Sequence, residues 1–333
     1  MFKNKIDVEM ERLIVHNQII VDPSIKLEHI GNIFEIISRV PEFAEKNAQV
    51  SAIEVLPGGL TNFNFKVTID NENYALRVAG PGTNEYLDRP AEKYNAQIMS
   101  DIGINAPIIY YDEVYGHQIC KYIEGKTMHI PDFKDSYEYL SKAAKVFRKY
   151  HTCGRSFKTD FDPLKETYAY LKILKENNAE LYEGSEQMLE YVERIKEAFK
   201  KHPQELAPCH NDPLCENWLA DEEDNLWLID WEYAGNNQPM FDLGALAIEA
   251  DLNSEKERFL LKEYYGRDIT EKEYGLLIIN RFLCDYLWTF WAILQIVTGK
   301  SHDDYWPYGL NRFNRAMELV NNGSLDKALD EFK

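Results

Sequence analysis

The sequence has no CxxC pair, no internal repeat, no low-complexity tract and no charge-free apolar run long enough to span a bilayer. Its five cysteines, Cys120, Cys153, Cys209, Cys215 and Cys284, are scattered and odd in number. That argues against a disulfide framework or a cysteine-ligated metal and fits reduced, mostly buried thiols in a reducing compartment. The first residues, MFKNKIDVEMERL, carry no apolar core of the kind a secretory leader needs, so a cytoplasmic protein is expected. Positive charge is also in short supply. Lys and Arg number 37 against 56 Asp and Glu, a net charge of −19. Such a surface repels phosphate backbones and anionic lipid, so neither nucleic acid nor membrane is an expected partner. The most apolar stretch, Leu276 to Val297, contains Arg281, Asp285 and Gln295. Ionised side chains are costly at a bilayer centre, and the stretch reads as a buried helix.

With 333 residues and an ordinary apolar fraction, the chain can bury a sizeable core as one large domain or two lobes. Residues 1–49 read as helical, with a break at Asp22-Pro23. Then QVSAIEVL, NFNFKVTI and NYALRVAG read as strands, because Phe65, Val67 and Ile69 alternate with Asn64, Lys66 and Thr68. A helix is predicted over 89–102, capped by Asp88, with Pro90 in its first turn and Gly103 at its end. APIIYYD and GHQICKYI supply two more strands. Beyond Glu124-Gly125 the pattern is helical over about 136–152, 163–178, 184–201, 240–251, 254–264, 271–297 and 310–330, with a short β region around 205–231. The expected organisation is α+β: a helical extension (1–49), a small five-strand lobe with one main helix (50–123) and a larger, mostly helical lobe (124–333).

The chemistry concentrates in CHNDPLCENW, Cys209 to Trp218, where Asp212 precedes Asn217 by five residues. NWLAD and NLWLID flank the polar turn EEDN, a hairpin pattern. With the turn centred between Glu223 and Asp224, Asn217 falls opposite Asp230. Hard cations such as Mg²⁺ take oxygen ligands of this kind, often together with substrate phosphates. Phosphoryl transfer needs that metal and an Asp that orients the attacking hydroxyl and accepts its proton. The Asp-x4-Asn spacing is that of the kinase catalytic loop. An isolated Asp-x4-Asn is more often a polar loop capping backbone amides. The His two residues before it and the Asp thirteen residues after Asn217 favour the catalytic reading.

These residues resemble the choline/ethanolamine kinases, in the aminoglycoside-phosphotransferase branch of the protein-kinase-like fold, and within them the bacterial choline kinases. The likeness runs from about Ile53 to Leu310, carried by CHNDPLCENW and by LIDWEYAGNNQPMFDLG, Leu228 to Gly244. It implies a two-lobe fold, ATP and Mg²⁺ as cofactors, and a choline kinase making phosphocholine. Asp212 is implied as the base, and Asn217 and Asp230 as metal ligands. Glu232 is either an aid at a second metal or a surface carboxylate of the hairpin. In the small lobe, LPGGLTNFNF would cradle phosphates through Gly58, Gly59, Thr61, Asn62 and Phe63. Arg77, with Glu92 as its ion-pair partner, matches the phosphate-contacting basic residue. Lys121, Tyr122 and Ile123 match the hinge that meets adenine. For the acceptor, the resemblance implies Asp212, Glu249, Trp288, Trp291 and Tyr308. A quaternary ammonium donates no hydrogen bond and is held by aromatic faces and a carboxylate, although a Trp pair at helical spacing is by itself more often core. Kinases of ethanolamine, thiamine or aminoglycosides share the fold, and a non-catalytic choline-binding pseudokinase stays open as a reading of another class.

Overall fold

The computed structural model describes residues 14, 18–57, 62–80 and 88–333. The chain divides into two compact units, Met1–Lys126 with Leu219–Glu232, and Thr127–Trp218 with Tyr233–Lys333. The fold is α+β and protein-kinase-like.

In the first unit a short strand β1 (Ile20–Val21) precedes helices α1 (Leu27–Ser38) and α2 (Pro41–Lys46). Strands β2 (Val50–Leu56), β3 (Phe63–Ile69) and β4 (Glu72–Val78) follow, then helix α3 (Arg89–Asp101) and strands β5 (Ile108–Tyr111) and β6 (Gln118–Lys121). They form one six-stranded sheet in the order β1-β2-β3-β4-β6-β5. The sequence suggests five strands and a purely helical start. The sixth arises because Ile20-Val21 pairs in parallel with Ala52-Ile53, and Asp22 N–H then donates to Ile53 O at 2.9 Å. Two β-branched residues are too short a run to show a period of two. The alternation in β3 buries Phe65, Val67 and Ile69, against which Ile30, Ile33, Ile36 and Phe43 of α1 and α2 pack. Asp88 caps α3 by accepting from Ala91 N–H at 3.0 Å.

Further along come β7 (Gly125–Thr127), α4 (Ile130–Lys134), α5 (Tyr137–His151), α6 (Pro163–Glu176), α7 (Ser185–Lys201) and β8 (Ala207–Cys209). The hairpin β9 (Trp218–Asp221) and β10 (Leu226–Leu228) extends to a three-stranded sheet, β10-β9-β7. Gly125 has φ +151° there, and a Cβ on it would lie 2.0 Å from Ala220 O, so only glycine lets β7 approach β9. The hairpin turn is centred on Glu223, half a residue earlier than the turn residues suggest. Asp221 N–H donates to Asn225 O at 3.0 Å, and the Asp221 carboxylate accepts from Glu223 N–H at 3.0 Å and Asn225 N–H at 2.8 Å. That carboxylate closes the turn on its own side.

The second unit continues with β11 (Gly235–Asn237), α8 (Pro239–Glu249), α9 (Ser254–Tyr265), α10 (Glu271–Val297), α11 (His302–Asn321) and α12 (Ser324–Asp330). Helix α10 has the length and apolarity to cross a membrane, but 89% of its most apolar window is buried inside the protein. It is the spine of the core, contacting α6, α8, α11 and α12. The predicted final helix, 310–330, is in fact two. The first of them, α11, starts at His302, eight residues before the expected start, and contains Pro307. The true break is Gly323, at φ +75°.

Candidate active site

In the first unit the site is built around Arg77, which faces across β4 from the apolar row Tyr74, Leu76 and Val78. Its guanidinium is buried. Nη2 donates to Glu92 Oε1 at 2.5 Å and to Gly116 O at 3.0 Å, while Nη1 lies 3.5 Å from Asp230 Oδ1. Glu92 comes from the first turn of α3 and also receives Arg89 Nη1 on its other oxygen, at 2.6 Å. Burial alone would push the Glu92 carboxyl up, but Arg77 and Arg89 hold it below its usual value.

Asp230 follows β10 with φ +66°, and Glu232 lies in the 3₁₀ turn after it. Glu232 is half-buried, so it is no surface hairpin carboxylate. Asn62 Nδ2 donates to its Oε2 at 3.2 Å. Burial and then the charge of Asp230 push Glu232 up to about 7, with Arg77 opposing. Two crowded carboxylates with oxygen donors only are what a hard divalent cation takes, so these residues fit Mg²⁺.

Of the nucleotide-binding residues expected from the sequence, Gly58, Gly59 and Thr61 lie outside the described residues. Asn62 is buried beside Glu232, and the Phe63 ring packs 4.3 Å from the His29 ring. Lys121 Nζ sits 4.6 Å from the Tyr74 ring, and Lys66 Nζ 4.3 Å from the Tyr122 ring. Lys121 N–H donates to Pro107 O and Tyr122 N–H to Asn73 O, at 2.8 and 3.1 Å. These two N–H groups are thus taken up by the chain itself.

In the second unit, β8 delivers the loop that carries Asp212. Asn211 takes φ +68°, and the loop is tied down from α8. Asp242 Oδ2 accepts His210 N–H at 2.8 Å and Oδ1 accepts Asn211 N–H at 2.7 Å. Tyr150 O–H, at 2.5 Å, and His151 Nε2, at 3.1 Å, complete the shell of Oδ2. Burial favours a neutral Asp242, but the His151 contact and the tyrosine bond outweigh it and hold the carboxyl low. Asp212 N–H then donates to His210 Nδ1 at 3.2 Å. Asn217 Nδ2 donates to Asp212 O at 2.9 Å, bridging the five residues between them. The amide's other end, Oδ1, is the atom a metal would take.

The same unit gathers an aromatic group. The Trp288 and Trp291 rings on α10 meet edge to face at 5.4 Å. Tyr233 lies 5.4 Å from Trp288, and Tyr305 and Tyr308 lie 5.7 and 6.1 Å from Trp291. Both tryptophans are also part of the helical core, 6% and 8% exposed. Gly309 admits α11 this close, since a Cβ there would meet Ala292 Cβ at 2.7 Å. Burial pushes the Tyr308 phenol up. Arg312 opposes this, and Glu249 and Asp212 add to it, so both carboxylates act on this ring. Glu249 is bonded to Arg312, whose Cζ lies 4.9 Å over the Tyr308 ring.

In the second unit Asp212 and Asn217 thus meet on one loop and Glu249, Trp288, Trp291 and Tyr308 form another group, while Asn62, Arg77, Glu92, Asp230 and Glu232 come together in the first. The sequence analysis passes over Tyr233, Asp242, Tyr305 and Arg312 as site residues. Tyr305 and Tyr308 repeat the three-residue spacing of the tryptophans, a pattern that an expected helix start at 310 leaves outside the helix. Asp242 is legible as a lone acid within PMFDLGALAI, an otherwise apolar helix.

The profile of choline/ethanolamine kinases matches residues 53–317. The chain belongs to the choline/ethanolamine kinase family. This kinase is 27% identical over 269 residues to "Protein LicA" of Haemophilus influenzae, covering 78% of this chain and 98% of that one. The crystal structure of a choline/ethanolamine kinase family protein from Mesorhizobium loti is similar with a TM-score of 0.80 and 30% identity, over 91% of this chain and 98% of that one. That of the choline kinase LicA from Streptococcus pneumoniae gives a TM-score of 0.73 at 26% identity, over 87% and 99%. As a member of this family the chain is a small-molecule phosphotransferase.

Proposed function

We propose that this kinase is a cytoplasmic choline kinase, forming phosphocholine and ADP from choline and ATP. The carrying observation is the aromatic group of Trp288, Trp291, Tyr233, Tyr305 and Tyr308, set in the same unit as Asp212 with Glu249 beside it. Aromatic faces attract a methylated ammonium, each by about 0.5–2 kcal/mol. Asp212 orients the choline hydroxyl and takes its proton as the oxygen attacks the γ-phosphorus. The bond from that phosphorus to the bridging oxygen breaks, and ADP carries away the electron pair. Arg77, held by Glu92 and Gly116, contacts the phosphates. Asn217 and Asp230 would hold Mg²⁺, with Glu232 near Asp230 in the chain, and the metal would supply charge neutralisation on the phosphates.

The test is an acceptor panel with ATP, comprising choline, ethanolamine, its methylated intermediates, thiamine and kanamycin. Choline exceeds ethanolamine by about 10- to 1,000-fold in kcat/KM, from per-group costs of about 1–3 kcal/mol in apolar pockets. Trp288→Ala and Trp291→Ala erode that preference by weakening choline. A wild type that prefers ethanolamine, or Trp variants that lose both acceptors equally, make the tryptophans core only.

A second expectation separates the two substrates. Arg77→Ala raises the KM for ATP and leaves the KM for choline nearly unchanged, because every partner of Arg77 belongs to the nucleotide-binding unit. A defect confined to choline would move Arg77 to the acceptor.

A further inference from the structure

Beneath the aromatic group lies a set of four charges, Asp285 and Arg312 buried and Glu249 and Arg315 half-buried. Asp285, on α10 between the apolar faces, is fully buried. Arg315 grips it with Nε at 2.7 Å and Nη2 at 2.5 Å, and Arg315 Nη1 donates to Ile248 O at 3.2 Å. Arg312, only 5% exposed, bonds Glu249, lies 3.5 Å from Asp285 Oδ1 and stacks its guanidinium over Tyr308. Arg315 Nη2 lies 3.6 Å from Glu249 Oε1. Buried ion pairs are not obvious sources of stability, since desolvation offsets their attraction. Two arginines placed under a site for a cation therefore need another account.

We propose that Arg312 is a positioning residue for the cationic acceptor, fixing the Glu249 carboxylate and the Tyr308 ring and setting the charge of the acceptor site. The inference rests on the reading of a cationic amino alcohol as acceptor. Within the set, Glu249 and Asp285 balance Arg312 and Arg315, so the carboxylate of Asp212 in the same unit leaves one net negative charge. That balance suits a monocation such as choline. The guanidinium of Arg312 bonds the Glu249 carboxylate through Nη1 while its Cζ lies 4.9 Å from the centre of the Tyr308 ring, a pairing of carboxylate and aromatic contact for which a planar guanidinium is suited. Glu249 and Tyr308 are thereby held at one orientation relative to each other before the acceptor arrives.

The experiment compares wild type, Arg312→Gln, Arg312→Lys, Glu249→Gln and the double variant Glu249→Gln/Arg312→Gln. It measures the KM for choline and for ATP, with calorimetric choline binding as a readout free of turnover. Arg312→Gln raises the choline KM and Kd by about 10- to 100-fold, the scale of a misplaced binding group, and leaves the ATP KM within about 2-fold. Arg312→Lys keeps the charge and recovers part of the loss. In the Glu249→Gln background the same Arg312→Gln change costs about 3-fold or less, because the group it positions is already altered. That double variant loses one charge of each sign, so the set stays balanced and the protein folds even where Arg312→Gln alone does not. Equal rises in the KM of both substrates, or an effect of the same size with and without Glu249, overturn the proposal. Absence of wild-type turnover on every amino alcohol instead overturns the choline kinase reading, together with the inference built on it.

Discussion

Asp212→Asn lowers kcat by about 10²- to 10⁴-fold, the range for loss of a general base, while the KM for ATP and the melting temperature stay close to wild type. The bonds that hold the loop explain the split. His210 and Asn211 are tied to Asp242 through their backbone N–H groups, Asp212 reaches His210 Nδ1 through its own N–H, and Asn217 reaches the carbonyl of Asp212. None of these four bonds uses the Asp212 carboxylate, so all four remain available in the amide variant. It does lose the proton acceptor, and an amide NH₂ in place of one carboxylate oxygen presents a donor to a hydroxyl that must itself donate. Steady-state kinetics at saturating Mg²⁺, with a thermal melt of the same preparation, decide the matter. A kcat within tenfold of wild type would remove Asp212 from the role of base.

Much of this site could be read along the chain because its parts are close in sequence. Asp212 and Asn217 sit within one loop, Asp230 ends the next hairpin, and the tryptophans are one helical turn apart. The Arg77–Glu92 pair was also legible, since a charged residue inside an apolar strand needs a charged partner. What stayed hidden depends on contacts distant in sequence. Asp242 is a helix residue whose meaning comes from Tyr150, His151 and the loop at 210–211. Arg312 looks like one more charge on a C-terminal helix until Glu249 and Asp285 are seen beside it. The parallel edge strand at Ile20-Val21 has too few residues to carry any periodic signal. The early start of α11 stayed hidden for another reason: a proline such as Pro307 is disfavoured inside a helix, while the packing of Tyr305 and Tyr308 against Trp291 on α10 sustains the helix through it.

Asp242→Asn destabilises the protein and slows it together. The carboxylate accepts four groups: His210 N–H, Asn211 N–H, Tyr150 O–H and His151. An asparagine there must turn its NH₂ toward either the Oδ1 or the Oδ2 partners, and a backbone N–H faces it in each case. Donor then meets donor in a fully buried place. Leaving one or two buried groups without an acceptor costs about 1–3 kcal/mol each, more where charge is involved, so about 2–5 kcal/mol is expected in all. For a chain of this size that is a fall in melting temperature on the order of 3–7 °C. Acid weakens the wild type by the same route. A carboxyl held low in the folded state contributes stability above its unfolded pKa, and that contribution is lost as pH falls through the lower folded value. Asp242→Asn has nothing there to lose, so the gap between wild type and variant narrows as the pH is lowered. Below its melting temperature the variant also shows a reduced kcat with Asp212 intact, because Asn211 keeps its left-handed backbone, φ +68°, through the bond to Asp242. Thermal melts across acidic to neutral pH and kcat at a temperature where both proteins are folded provide the check. A melting temperature within about 1 °C of wild type, which corresponds to less than about 1 kcal/mol, would show that Asp242 is not what holds the catalytic loop.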